Sequence, residues 1–289
     1  MNSLTCETDV ITAVQLACLL EASAPKPGNV SPGRHFEDAR YEDFLASAAA
    51  IGPAFAQLDQ RGLGATIRLA VNATARWTRS NTNLGIVLLL APLARAAMLD
   101  ADDLRSAVRR IVEQTTVADA CEVYAAIRTA SPGGLGRAAE QDVSETPTVT
   151  LLESMRLAAD RDGIAREYAT AFQRTFEVGA PALSRARQDG LSWEDAIVET
   201  FLVLLADHPD THIARRGGLV MADKISKSAR AALDRGGVRT EAGQRALRAF
   251  DDELRDLSNT ANPGTTADLT AAAIFVVLLQ GGWRQASEA

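Results

Sequence analysis

Apolar residues recur three and four positions apart along almost the whole chain, and no convincing stretch alternates with a period of two between turns. Such spacing lays apolar stripes on helices, so the expected fold class is all-α. Residues 84–99 are nearly all apolar and are expected at the centre. The longest uninterrupted apolar runs, 85–91 and 271–279, fall far short of the roughly 20 residues that cross a membrane, and they read as buried helices.

Prolines and glycines cut this pattern into elements. The helix marked by Val10, Ile11, Val14, Leu16, Ala17 and Leu20 must stop before Pro25 and Pro27, because proline lacks an amide proton and restricts its predecessor. The spacing then predicts helices over 41–58, 63–78, 84–99, 104–113, 117–129, 149–160, 164–189, 193–206, a segment after Asp210, 221–234, 241–257 and 266–279. Asp100 with Asp103, Ser192 with Asp195, and Thr240 with Glu241 offer acceptors for helix starts. No linker or repeat interrupts the 289 residues, so a single domain over 1–289 is expected, with a polar cleft made by its interhelical loops.

Thirty basic against 37 acidic residues leave a net charge of -7, which disfavours a general nucleic-acid binder. Cys6, Cys18 and Cys121 are scattered and have no CxxC spacing, as expected of reduced thiols. The first basic residue is Lys26, so no charged secretory start is seen, and cytoplasmic residence is the expectation.

The informative residues are polar, Gly and Pro positions that no helix needs. Residues 25–38 gather Lys26, Arg34 and His35 beside Glu37 and Asp38, although a rigid turn with solvated charges accounts for the prolines and glycines equally. Asn81, Thr82 and Asn83 precede the apolar helix and can either cap it or offer an anion site. Gly133, Gly134 and Gly136 would let backbone approach a phosphate or ribose, with Glu140 and Asp142 nearby, yet the segment has no P-loop pattern. Asp160 and Asp162 flank Arg161, an arrangement that a surface ion-pair cluster also explains. His208 and His212 lie four apart around Pro209 without the glutamate of HExxH, so the arginines Arg215 and Arg216 point to phosphate rather than to zinc. Asp268 falls in the first turn of the last helix, where a carboxylate is either dipole-stabilising or a metal ligand.

Taken together, Lys26-Pro-Gly28, the stretch His35 to Asp38, Pro132 to Gly136, Asp142, Ala158 to Asp162, Arg215 to Gly218, and Asn262-Pro-Gly264 leading to Asp268 resemble the triphosphoribosyl-dephospho-CoA synthase family. The resemblance spans nearly the whole chain. It implies an all-helical enzyme that moves the 5-triphosphoribosyl group of ATP, with Mg²⁺, to the 2-hydroxyl of a dephospho-CoA-like acceptor and releases adenine. Two segments depart from the family pattern. Ser80 to Gly85 stands where a Gly-x-Asn-Thr-His-Lys-Gly run is expected, and Asn29 and Ser31 replace Leu and Asp after Lys26-Pro-Gly28.

Such chemistry needs a carboxylate near the anomeric carbon, a base for the attacking hydroxyl and a proton donor for adenine. Glu37, Asp38, Asp142 and Asp162 are the candidates for the first two roles, and His35 for the third. Glu37, Asp38, Asp160, Asp162 and Asp268 are the expected metal ligands. Lys26, Arg34 and Arg215 would neutralise the triphosphate. Gly28, Asn29, Asn81, Thr82, Asn83, Gly133, Gly134, Gly136, Arg161, His208, Asn262 and Gly264 complete the expected substrate contacts. Two other readings stay open: transfer to another cofactor precursor such as a pterin, or nucleotide hydrolysis, by the same site, and a non-catalytic nucleotide-binding protein whose loops only cap helices. Homo-oligomerisation is left open.

Overall fold

The computed structural model describes residues 6–99, 101, 103–256 and 258–283, and its α-helices are joined by turns and loops. No strand is present among the described residues, only an isolated bridge between Ser31 and Arg34. The all-α expectation therefore holds. Among the described residues no helix is long and apolar enough to cross a membrane.

The chain resolves into two compact units, one of Met1–Cys18 with Glu42–Gln173 and the other of Leu19–Tyr41 with Arg174–Ala289. Helix α1 (Glu7–Ser23) passes from the first unit into the second. The N-terminal unit continues with α2 (Tyr41–Ile51), α3 (Leu63–Ala75), α4 (Leu84–Ala97), α5 (Leu104–Glu113), α6 (Val117–Ala130), α7 (Leu151–Ala158) and α8 (Gly163–Ala169). Helix α4 is buried at almost every position and packs against α3, α5 and α8. Its Pro92 cannot donate to the carbonyl of Leu88. The buried Tyr168 hydroxyl supplies the missing donor at 2.6 Å, and burial pushes that phenol far above its ordinary pKa.

The C-terminal unit contains α9 (Ala180–Gln188), α10 (Trp193–Asp207), α11 (Thr211–Gly217), α12 (Leu219–Asp234), α13 (Glu241–Leu254) and α14 (Gly264–Leu279). Helix α14 is its apolar centre and packs against α9, α10 and α11.

Expected and observed elements differ where side-chain chemistry overrides periodicity. The helix expected over 41–58 ends at Ile51, and a 3-10 turn takes over at Gly52–Phe55, where Pro53 has no amide to continue the ladder. The helix expected over 164–189 is broken, because Ala171 and Phe172 adopt φ of +50° and +58° between α8 and a π turn at Thr175–Gly179. No glycine or proline stands at 170–174 to signal that break. Asp103 caps α5 by accepting from Ser106, and Ser192 and Thr240 cap α10 and α13. Asp100 and Leu257 lie outside the described residues.

Candidate active site in the C-terminal unit

Loop 24–41 and the segments flanking α11, α13 and α14 build one connected polar site from local rules. After α1, Lys26 folds back into the loop and is 1% exposed. Its ammonium pairs with the Glu21 carboxylate at 2.9 Å and donates to the carbonyls of Glu21 and Ala24. Those three acceptors use all three donors of a lysine, so Lys26 is a strut of the loop rather than the phosphate contact expected of it.

Gly28 follows with φ +72°, and a Cβ there would stand 2.8 Å and 2.9 Å from Leu254 and 3.1 Å from Pro263. Only glycine satisfies both constraints. Its amide donates to Asp251 at 2.8 Å and its carbonyl accepts from Asn262 at 2.7 Å. Asn29 accepts from the same Asn262 amide at 3.0 Å through its side chain, while its carbonyl accepts from Arg255 at 2.7 Å. Gly28, Asn29 and Asn262, candidates from distant parts of the sequence, are thus one hydrogen-bonded group.

Ser31-Pro-Gly-Arg34 then turns tightly, with mutual backbone bonds between Ser31 and Arg34 at 3.0 Å and 2.9 Å and Gly33 at φ +76°. Proline followed by a positive-φ glycine is the signature of a type II turn. The turn presents Arg34, whose terminal nitrogen donates to Asp251 at 2.7 Å and Asp252 at 2.8 Å. Asp252, then Asp251, raises the pKa of this guanidinium and keeps it charged. Arg255 also pairs with Asp251, four residues earlier, at 2.8 Å. Beyond the turn, His35 is exposed and its Nδ1 accepts from the Tyr41 amide at 3.3 Å; Glu37 and Asp38 are exposed in the same loop.

The opposite flank of the site rests on Asp210, 2% exposed. One oxygen caps α11 by accepting from His212 at 2.8 Å and Ile213 at 3.1 Å; the other accepts the Thr266 amide and hydroxyl, both at 2.7 Å. A single carboxylate therefore closes the starts of two helices. Gly264 lies against His212, where a Cβ would come within 2.8 Å of Nδ1. His208 lies between α10 and α11, its Nδ1 2.9 Å from the Pro209 carbonyl, so it does not share a helix face with His212. Arg215 is half-buried on α11, Arg216 donates to Asn259 and Ser258, and Asp268 is half-buried in α14.

The remaining candidates belong to the N-terminal unit, where several have local tasks. Asn81 accepts from the Leu84 amide at 3.1 Å, Thr82 is buried against Ser47 at 2.6 Å, and Asn83 donates to Thr74 at 3.0 Å. Asn83 and Leu84, which replace the histidine and lysine of the family pattern, are both buried. Asp142 accepts from Ala138, the Ser144 amide and the Ser144 hydroxyl, which hold its pKa at about 2. Such a carboxylate stays ionised and is a poor base near neutrality. Asp162 caps α8 by accepting from Ile164 and Ala165; Asp160 and Arg161 are exposed, as are Gly133, Gly134 and Gly136.

Asp210, Asp251, Asp252 and Arg255 were not among the sequence candidates. The four-residue spacing of Asp251 and Arg255 was the available signal, but on a polar helix it is indistinguishable from an ordinary surface pair.

Fold and site define an all-helical protein whose Lys-Pro-Gly-Asn loop is locked to an Asp-Asp pair and an Asn-Pro-Gly helix start. The chain belongs to the CitG family, ATP:dephospho-CoA triphosphoribosyl transferase, whose sequence model matches residues 7–287. A crystal structure from Archaeoglobus fulgidus, assigned as a triphosphoribosyl-dephospho-CoA synthase, superposes with a TM-score of 0.65 at 32% identity, covering 82% of this chain and 99% of that one. The probable 2-(5''-triphosphoribosyl)-3'-dephosphocoenzyme-A synthase of Stutzerimonas stutzeri is 37% identical over 113 residues, 39% of this chain and 38% of that protein. The 2-(5''-triphosphoribosyl)-3'-dephosphocoenzyme-A synthase of Escherichia fergusonii is 34% identical over 114 residues, 39% of this chain and 37% of its own length. The matched segment thus spans well under half of these curated relatives.

Proposed function

We propose that the chain transfers the 5-triphosphoribosyl group of ATP to the 2-hydroxyl of 3-dephospho-CoA and releases adenine. The observation that carries this reading is Arg34. Its side chain is half exposed, Asp251 and Asp252 fix it through one terminal nitrogen, and its other donors have no partner among the described residues. An oriented guanidinium with unused donors suits bidentate pairing with phosphate oxygens. The names carried by the relatives support the donor and the acceptor.

In the reaction the bond from the anomeric carbon to adenine breaks and a bond to the acceptor oxygen forms. The hydroxyl proton passes to a base, and adenine leaves with a proton. Glu37 and Asp38 offer carboxylates in the loop that carries Arg34, one to face the developing positive charge and one to take the hydroxyl proton. His35, between them and Arg34, is the proton donor to adenine. Arg215 adds positive charge on α11 for the phosphates. Gly28, Asn29 and Asn262 hold the loop in place.

Among the described residues no three acidic, histidine or cysteine side chains gather as a metal cage. Mg²⁺ commonly takes one or two carboxylates and completes its shell with phosphate oxygens and water, and the neighbours Glu37 and Asp38 fit that donor set. Bound there, the ion would neutralise triphosphate charge.

The test incubates the purified protein with Mg-ATP and dephospho-CoA and follows adenine and the ribosylated product by mass spectrometry. Both are expected, and Arg34→Ala should slow adenine release at least tenfold with helicity unchanged. Adenine at the same rate without acceptor would replace the proposal with hydrolysis, and no adenine at all would overturn it.

A further inference from the structure

In the N-terminal unit, α5, α7 and the end of α8 line an open hollow of about 270 Å³ that the proposed reaction does not use. Val112, Leu152 and the buried ring of Tyr168, whose hydroxyl is already given to Leu88, back it, while its exposed lining is mainly polar. Its rim carries exposed Arg109 on α5 and exposed Arg156 on α7. Neither guanidinium has a hydrogen bond or a direct ion pair among the described residues: Glu113, one turn beyond Arg109, does not pair with it, and Glu153, which feels the charge of Arg156, is bonded to Thr150 instead. The wall at 169–171 runs into the break where Ala171 and Phe172 hold φ of +50° and +58°, and Arg105 donates to the Ala171 carbonyl at 3.4 Å. Consecutive left-handed non-glycine residues are strained, and here they fix the backbone that closes the hollow.

We propose that this hollow binds a small polyvalent oxyanion, of phosphate or carboxylate type, clamped between Arg109 and Arg156. Two guanidinium groups on separate helices match a ligand with two anionic ends, each able to accept two parallel N–H bonds. Glu113 on the same rim opposes an anion, so the occupant must carry more than one charge.

The experiment is isothermal titration of the full chain with inorganic pyrophosphate and, separately, with succinate. The active-site contact proposed for Arg34 is first removed: R34A is expected to keep one saturable equivalent that R34A/R109A/R156A loses or binds at least tenfold more weakly, and the anion that saturates identifies the phosphate or carboxylate source. Binding in R34A that R109A/R156A leaves unchanged, or no saturable binding of either anion by R34A, would each overturn it. The substituted arginines are exposed, and circular dichroism confirms that the variants are folded.

Discussion

Gly28 and Gly133 sit in loops of similar composition and opposite surroundings. Around Gly28 the chain is fixed from three directions, by Asp251 on its amide, by Asn262 on its carbonyl, and by Leu254 and Pro263 against the space a side chain would fill. Nothing lies within 4 Å of the Cβ position of Gly133, which is exposed. What organises the loop of Gly133 is the local turn at Asp142 and the bonds from Tyr124 to Gln141 and from Arg128 to Val143. One loop is thus built by residues more than 200 positions away in sequence, the other by neighbours. A loop built by distant residues can hold a charged side chain such as Arg34 in a fixed direction, which is what a binding site requires.

The contrast breaks most severely at Gly28. Gly28→Ala should cost about 2–5 kcal/mol, from the left-handed backbone and from the contact with Leu254, and should appear as a lowered urea midpoint. If it unfolds like wild type, the loop is not locked. Asp210→Ala comes next, at about 2–3 kcal/mol, because two helix starts lose their acceptor and a buried Thr266 hydroxyl is orphaned. Chemical denaturation measures it, and Asp210→Asn should recover part of the loss by retaining one acceptor oxygen. A smaller effect belongs to Asp142. With its carboxyl held at about 2 against an ordinary 3.8, its contribution is present above pH 4 and disappears as pH falls toward 2. The amides of Ala138 and Ser144 should report that midpoint by NMR, and a midpoint near 4 would remove the turn from the account. Gly133→Ala should be smallest, within about 0.5 kcal/mol of wild type, as expected of an exposed site with room for a methyl group.

Much of the architecture was legible because a helix is a local object. The apolar faces of α4 and α14, the stops at Pro25 and Pro27, and the caps at Asp103, Ser192 and Thr240 follow from residues a few positions apart. The break at Ala171 and Phe172 was not legible, since no residue type there announces a left-handed backbone. Of the site, the sequence supplied the loop residues and the family resemblance. It misjudged Lys26, because a lysine between prolines reads as exposed until Glu21 and the Ala24 carbonyl are seen around it. It also passed over Asp210 and Asp251, which resemble an interhelical turn residue and a surface charge until Thr266 and Gly28 are found bonded to them.

The sequence by itself determined an all-helical chain of this family, with polar loops carrying arginine, histidine and carboxylates, because periodicity, proline and capping act within one or two helical turns. Only the tertiary structure decided which of those groups are struts and which face outward. A charge becomes a strut when burial obliges it to find a partner, and the partners of Lys26, Asp210 and Asp251 are set by how distant segments meet.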